Sequence, residues 1–372
     1  MSEPRTIRTL GVAAQGQPAY FDYVEQPPDE GEFRVDTLYT GLSAGTELTF
    51  VKGTNPYLHA SWDAEQGSFV EGGPSRRYPV KFMGYMEVGR VTETRTPEVA
   101  TGQTVALTYG HRSGHLVHSE RTVVTVLPPD LDPLLGIYVA QMGPICANGL
   151  LHASAELVGS SPVDSEVVQL GDGVHGRRVL VTGGGVVGLM TGLFARAWGA
   201  AEVAVADPDP QRLAAAEALG LTPVTDDGTS AVERWCTSRW RSGPGDNGAD
   251  LVFQCRGRAS ALATALRSLR PQGSVIDLAF YEGGAPDLRL GEEFHHKGLT
   301  VRCAQINRVP RGLASVWDRR RLCDETLTLL ARHGEDIRKH LITDVVPFNE
   351  GATFMTELAE RRRSCIQAAF AL

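Results

Sequence analysis

The stretch Arg178-Val-Leu-Val-Thr182, Gly183-Gly-Gly-Val186-Val187-Gly188, Leu189 to Trp198 decides how this chain reads. An apolar, β-branched run enters a glycine cluster and leaves it as an apolar segment at helical spacing, which predicts a strand, a tight turn and a helix. The G-x-G-x-x-G pattern carries little alone, but here it stands between strand and helix, where its mechanism needs it. Gly183 permits the turn, Gly185 lets the backbone approach a pyrophosphate, and Gly188 allows the helix to pack close to the strand. The first helical turn, through Val186 and Val187, offers unpaired amides to phosphate oxygens.

The next strand, Glu202 to Ala206, ends at Asp207, about 20 residues past the glycines, where a carboxylate accepts hydrogen bonds from ribose hydroxyls. That carboxylate would repel a 2′-phosphate, with Arg212 alone nearby to compensate, so NAD is expected over NADP. Strand and helix runs go on alternating through Gln211 to Leu219, Asp250 to Gln254, Ser260 to Leu269, Ser274 to Ala279 and Leu299 to Gln305. This is the pattern of an α/β, doubly wound parallel sheet. Ligands bind outside the carboxyl ends of such strands, which assigns Cys255 and Gly257 to the cofactor site.

Upstream, from Thr6 to about Leu127, short β-branched and aromatic runs broken by Gly and Pro predict an all-β module. Gly53 to Lys81 interrupts it without periodicity and reads as a binding loop, with a disordered segment as the alternative. Its Asn55, Tyr57, His59 and Trp62 suit a hydroxylated ring, through hydrogen bonds and stacking. Helical spacing from Pro133 to Gly159 leads out of the module. Downstream, Trp317 to Arg332 and Gly351 to Arg362 read as helices around a strand at Ile342 to Val346. The expected division is a first part of the β-rich domain at 1–150, a dinucleotide-binding domain at 151–306, and a return to the first domain at 307–372.

A length of 372 residues suits two cores. No apolar run approaches the roughly 20 residues of a membrane helix, and the charged N-terminus does not read as a secretory signal. A cytoplasmic location is therefore expected. The net charge of −8, without a dense basic block, argues against nucleic acid and for a small-molecule partner. Six scattered cysteines form no C-x-x-C pair and read as reduced core residues.

The order of these parts resembles the medium-chain dehydrogenase/reductase family over nearly the whole chain. The resemblance implies that the β module has a GroES-like fold and carries the substrate and a catalytic zinc. Two departures follow. Where the family has Cys-Gly-Ser-Asp, this chain reads Ser43-Ala44-Gly45-Thr46, then Glu47; where the family has Gly-His-Glu-x-x-Gly, it reads Gly84-Tyr85-Met86-Glu87-Val88-Gly89. The structural zinc lobe needs four cysteines, yet none precedes Cys146. No metal site is therefore expected; His111, His115 and His118, and likewise His295 and His296, read as ordinary polar residues. The Ser43 to Leu48 and Gly84 to Val91 stretches are similar to a branch that includes bacteriochlorophyllide dehydrogenase and sugar or cyclitol dehydrogenases of secondary metabolism.

Without zinc, hydroxyl donors and a proton relay must polarise the substrate oxygen. Ser43, Thr46, Glu47 and Tyr85 are the candidates, with Tyr85 the proton donor and Glu47 a base or substrate ligand. Space filling in place of a histidine is the alternative for Tyr85. The expectation is an NAD(H)-dependent alcohol–ketone oxidoreductase acting on a sugar-like or cyclitol substrate, with a homodimer implied through Leu299 to Gln305. An NADPH-dependent enoyl or quinone reductase and a non-catalytic dinucleotide sensor remain open.

Overall fold

A computed structural model describes residues 3–70, 73, 75–158, 168–281, 283–286 and 288–372. The end of the helical reading at Gly159, and positions 71, 72 and 74 of the insertion, lie outside the described residues.

The chain forms two compact units, 1–141 with 342–372, and 142–341. These breaks differ from those read at 150 and 306. The helix Met142–Ala153 is buried almost throughout. It packs against a 22-residue helix, Arg319–His340, closely enough that a Cβ on Gly143 would lie 2.2 Å from Thr326. Both helices therefore stay with the second unit, and the chain returns to the first at the strand Ile342–Pro347.

The second unit holds six parallel strands. In spatial order they are Thr222–Thr225, Glu202–Asp207, Arg178–Thr182, Ala249–Gln254, Leu269–Asp277 and Thr300–Cys303. This is the 3-2-1-4-5-6 order of a Rossmann sheet, with Arg178–Thr182 at the switch in strand direction of travel. Buried on both faces, the central strands read as continuous apolar runs. Leu180, Ala204, Val252, Leu266 and Val275 share one core with Trp240.

The first unit is the GroES-like β-rich domain. Its seven-stranded sheet centres on Glu32–Leu42, which pairs antiparallel with Glu87–Thr94, Gly114–His118 and the C-terminal Gln367–Ala371. The last residues are thus integral, with Phe370 set opposite Thr40. A hairpin of Arg5–Ala14 and Gln17–Glu25 stands apart from this sheet. Several elements escaped the sequence reading, among them the strands Gly114–His118 and Gln367–Ala371 here and, in the second unit, the strand Thr222–Thr225 and the helix Ala231–Arg239. A helix, Ala44–Lys52, follows the central strand directly, and the insertion folds a small hairpin, Ser61–Asp63 with Ser68–Val70. The strand read at Thr122 to Leu127 shrinks to Thr125–Val126.

Cysteine placement departs in part from the core reading. Cys146, Cys236 and Cys323 are buried, Cys255 and Cys365 are half-buried, and Cys303 is exposed on the last strand of the parallel sheet.

Candidate active site

In the second unit, Gly183 takes φ +103°, a left-handed conformation that L side chains resist. Five residues on, a Cβ at Gly188 would stand 1.8 Å from the Gly183 carbonyl oxygen, so the helix Val186–Ala197 packs here only because that atom is absent. Gly185 is the N-cap; it makes no side-chain cap bond, and nothing lies within 4 Å of where its Cβ would be. The turn is thus an open cradle of backbone that leads into the amides of Val186 and Val187.

Asp207 is buried at the end of its strand. Its Oδ2 accepts the Gly184 amide at 2.7 Å and its Oδ1 the Asp209 amide at 2.9 Å. Arg212 Nη1 lies 3.6 Å from Oδ2. The carboxylate is therefore fixed to the glycine turn itself. Beside it opens a cleft of about 580 Å³ lined by Pro208, Thr225, Asp226, Arg256, Ser260 and Thr264, where Arg256 Nη1 meets Asp226 Oδ2 at 3.2 Å. Cys255 caps the neighbouring strand through its amide on the Thr182 carbonyl; burial pushes its thiol pKa well up, which makes it an inert thiol. At Gly257 a Cβ would strike the Phe280 carbonyl at 2.3 Å. The glycine turn, the open N-cap and the buried acid fit a dinucleotide.

In the first unit, the missed helix Ala44–Lys52 brings three of the sequence candidates to one place. The Tyr85 hydroxyl donates to Ser43 Oγ, and the Ser43 amide donates to Glu47 Oε1 at 2.8 Å. Burial, then the Glu47 charge, push the Tyr85 pKa up to about 12, against the opposing effect of hydrogen bonds with Ser43 and Thr46. At neutral pH this phenol is a donor, and both Ser43 and Thr46 lie within its reach. Glu47 itself is buried, and its second oxygen meets His111 Nε2 at 2.6 Å. The other nitrogen of His111, Nδ1, stands 2.7 Å from Thr40 Oγ1, and the ring meets Phe370 edge-on with centroids 4.9 Å apart.

His111 was read as an ordinary polar residue, and it is instead wholly buried in this cluster. His115 goes elsewhere, 3.3 Å from Glu87 and with its ring tilted 45° against that of Tyr109, centroids 4.1 Å apart. Of the insertion residues read as substrate ligands, Asn55 is buried with its amide on Thr49 and its oxygen on the Tyr57 amide, and His59 is held to the Gly53 carbonyl. Tyr57 and Trp62 are exposed, each with its ring against Phe69.

Comparison with known proteins agrees with this geometry. Residues 186–317 match the family model described as zinc-binding dehydrogenase. D-guloside 3-dehydrogenase of Escherichia coli is 23% identical over 352 residues, covering 92% of this chain and 93% of the relative. Galactitol-1-phosphate dehydrogenase from E. coli superposes over 98% of this chain and 100% of its own with a TM-score of 0.74 at 16% identity. An alcohol dehydrogenase from Thermotoga maritima does so over 99% of both chains, with a TM-score of 0.72 at 19% identity. Over nearly its whole length the chain thus has the fold of these alcohol and polyol dehydrogenases. Sorbitol dehydrogenase of Bacillus subtilis adds 32% identity over a shorter stretch of 100 residues, 27% of each chain.

The match to a zinc-binding dehydrogenase model implies a catalytic zinc, and the donor chemistry here does not fit one. Zinc takes thiolate, imidazole or carboxylate ligands. The ligand positions carry two hydroxyl side chains, Ser43 and Tyr85, bonded to each other, while Glu47 and His111 are committed to one another. Among the described residues no three His, Cys, Asp or Glu side chains converge to hold a metal. None of the described helices is long and apolar enough to cross a membrane.

Proposed function

We propose that this protein is a nicotinamide-dependent oxidoreductase that interconverts an alcohol and a ketone on a sugar-like or cyclitol substrate, without zinc. The observation that carries the reading is the Tyr85–Ser43 hydrogen bond beside the buried Glu47. The names of the relatives support the substrate class: a guloside, galactitol 1-phosphate and sorbitol are all polyhydroxylated. A bound nicotinamide supplies or takes the hydride. The protein's part is to hold a proton at the substrate oxygen. Tyr85, kept protonated by burial and by the Glu47 charge, turns its single hydrogen from Ser43 Oγ to a carbonyl oxygen as negative charge develops there, and the Ser43 hydroxyl then donates its own hydrogen to the phenol oxygen. Ser43 and Thr46 hold the phenol in place and restrict its motion, which shortens the search for a productive geometry. Glu47 fixes the start of the helix that carries both hydroxyls.

NAD is the coenzyme we favour. A ribose diol can donate to the spare lone pairs of Asp207, whereas a 2′-phosphate would face a buried negative charge. Arg212, the one compensating cation of the sequence reading, is already drawn to that carboxylate. The cleft between Pro208 and Arg256 suits the adenine end. A cytoplasmic enzyme working as a homodimer completes the reading; the exposed edge of Thr300–Cys303 is its candidate contact.

The test is a fluorescence titration with NADH and NADPH, followed by NAD reduction with a panel of polyols and methyl glycosides, with and without a chelator. Tight NADH binding and chelator-resistant turnover are expected. Turnover lost on chelation and restored by zinc would overturn the metal-free mechanism, and failure of both dinucleotides to bind would overturn the whole reading.

A further inference from the structure

The start of the helix Ala44–Lys52 is built in an unusual way. A serine at the N-cap ordinarily gives its side-chain oxygen to an amide of the first turn. Ser43 occupies that position without a side-chain cap bond, and its oxygen receives the Tyr85 phenol instead. Glu47 takes up the Ser43 amide from within the helix, which needs only one of its oxygens. The second oxygen would be left without a partner in the core, where an unpaired carboxylate is strongly disfavoured. His111, from the loop after the strand Thr104–Leu107, fills that need at 2.6 Å.

The chemistry of the partners fixes the imidazole. A carboxylate only accepts, so Nε2 carries the hydrogen; Nδ1 is then an acceptor and takes the Thr40 hydroxyl at 2.7 Å. Phe370 stands edge-on against the ring. A Cβ on Gly84, next to Tyr85 in the chain, would come within 3.2 Å of His111 Nε2, so the backbone that presents the phenol lies directly on the imidazole. Helix capping alone explains Glu47; it does not explain a buried histidine held at both nitrogens, one residue layer behind the proposed proton donor.

We propose that His111 is a positioning residue of the alcohol–ketone chemistry: through Glu47 it holds the Ser43 hydroxyl where it receives and orients Tyr85. This rests on the oxidoreductase reading above. No proton need leave the Glu47–His111 pair. Its task is to keep one carboxylate rotamer, one imidazole tautomer and one Ser43 geometry, so that the phenol meets the substrate oxygen in a single orientation. Loss of the imidazole frees the carboxylate to rotate, and the Ser43–Tyr85 pair loses its anchor.

Two measurements on the intact protein test this. Proton NMR of the wild type should show an exchange-protected imidazole Nε2–H, far downfield, that disappears in both His111→Leu and Glu47→Gln; a wild type without that signal overturns the proposal. In steady-state kinetics with NAD and the best alcohol of the polyol panel, His111→Leu should lower kcat at least about tenfold. The KM for NAD should stay within about threefold, the mark of a loss in the chemical step. His111→Gln, whose amide can still donate to Glu47, should recover part of kcat. Thr40→Val, which removes only the outer hydroxyl, should move kcat the same way by less and serves if the leucine variant fails to fold. Wild-type kcat in His111→Leu, or in Thr40→Val if that variant must serve, would overturn the role of His111 alone. Absence of wild-type turnover on every alcohol of the panel would instead overturn the oxidoreductase reading, and the positioning role of His111 with it, whatever the NMR signal shows.

Discussion

Gly188 lies so close under the carbonyl of Gly183 that the two residues share the space one Cβ would fill. Their contact sets the distance between the strand Arg178–Thr182 and the helix Val186–Ala197, and therefore where the first-turn amides point. Gly188→Ala must push the turn away from the helix. We expect a loss of about 1–3 kcal/mol in stability, the usual cost of overpacking, together with a loss of NADH affinity that exceeds any loss in alcohol KM. Thermal melts and NADH fluorescence read the two effects separately.

Asp207 should govern coenzyme choice. Charge-assisted hydrogen bonds contribute about 1.5–3 kcal/mol, so Asp207→Asn should weaken NADH by roughly ten- to a hundredfold and NADPH by much less. Competitive titration with both coenzymes is the check. An unchanged preference would show that the carboxylate serves only the glycine turn and Asp209.

Tyr85→Phe keeps the ring and removes the donor. A fall in kcat of about a hundredfold is expected, within the usual range for general acid–base catalysis. The same residue leaves a mark on stability at high pH. Its folded-state pKa, about 12, exceeds the ordinary 10.0, so the folded protein holds this proton more tightly than the unfolded chain. That contribution is complete below pH 10 and is lost as pH climbs towards 12. Denaturation measured over that range should show a steeper decline for the wild type than for Tyr85→Phe.

At the amino end of the parallel sheet, Asp250 behaves in the opposite sense. Burial disfavours its charge most strongly as a single effect, but hydrogen bonds from Arg178, side chain and backbone, and from Arg270 together prevail and hold the carboxyl at about 2. The ordinary value is 3.8. Its stabilisation is present above that value and is lost as pH falls through about 2. Asp250→Asn should therefore lower stability at neutral pH, and the gap between variant and wild type should close as the medium is acidified. A gap that stays constant from neutral pH to pH 2 would contradict the assignment.

Legibility differed sharply between the two units. Strand, glycine turn and helix from Arg178 to Trp198 were readable because every cue is local: the apolar period changes from buried strand to helix across six residues. The helix Ala44–Lys52 gave no such cue. Gly45, Thr46 and Thr49 are weak helix formers, the buried positions include Glu47 and Thr49, and no continuous apolar stripe marks a core face. The helix forms because Leu48 and Val51 pack with Phe354 and Phe370, residues three hundred positions further on.

Motif comparison was enough to single out Ser43, Glu47 and Tyr85, since each departs from an expected metal-ligand pattern at a known place. It could not single out His111, which is 64 residues from Glu47 and sits among other histidines with nothing to distinguish it. The breaks between units moved for a similar reason. Met142–Ala153 and Arg319–His340 are far apart in the chain, and only their mutual packing assigns both to the dinucleotide unit.

The sequence by itself determined the alternation of strand and helix in the dinucleotide unit, without its edge strand Thr222–Thr225, the glycine turn with its acid at Asp207, and the replacement of soft ligands by hydroxyls at Ser43 and Tyr85. Those follow from side-chain chemistry and period along a few turns of chain. Only the tertiary structure decided that Glu47 faces His111, that Thr40 and Phe370 enclose that pair, and that the C-terminal strand belongs to the same sheet. A buried charge must find its partner wherever the fold can supply one, and that choice is made by packing in three dimensions, across separations on which local propensity is silent.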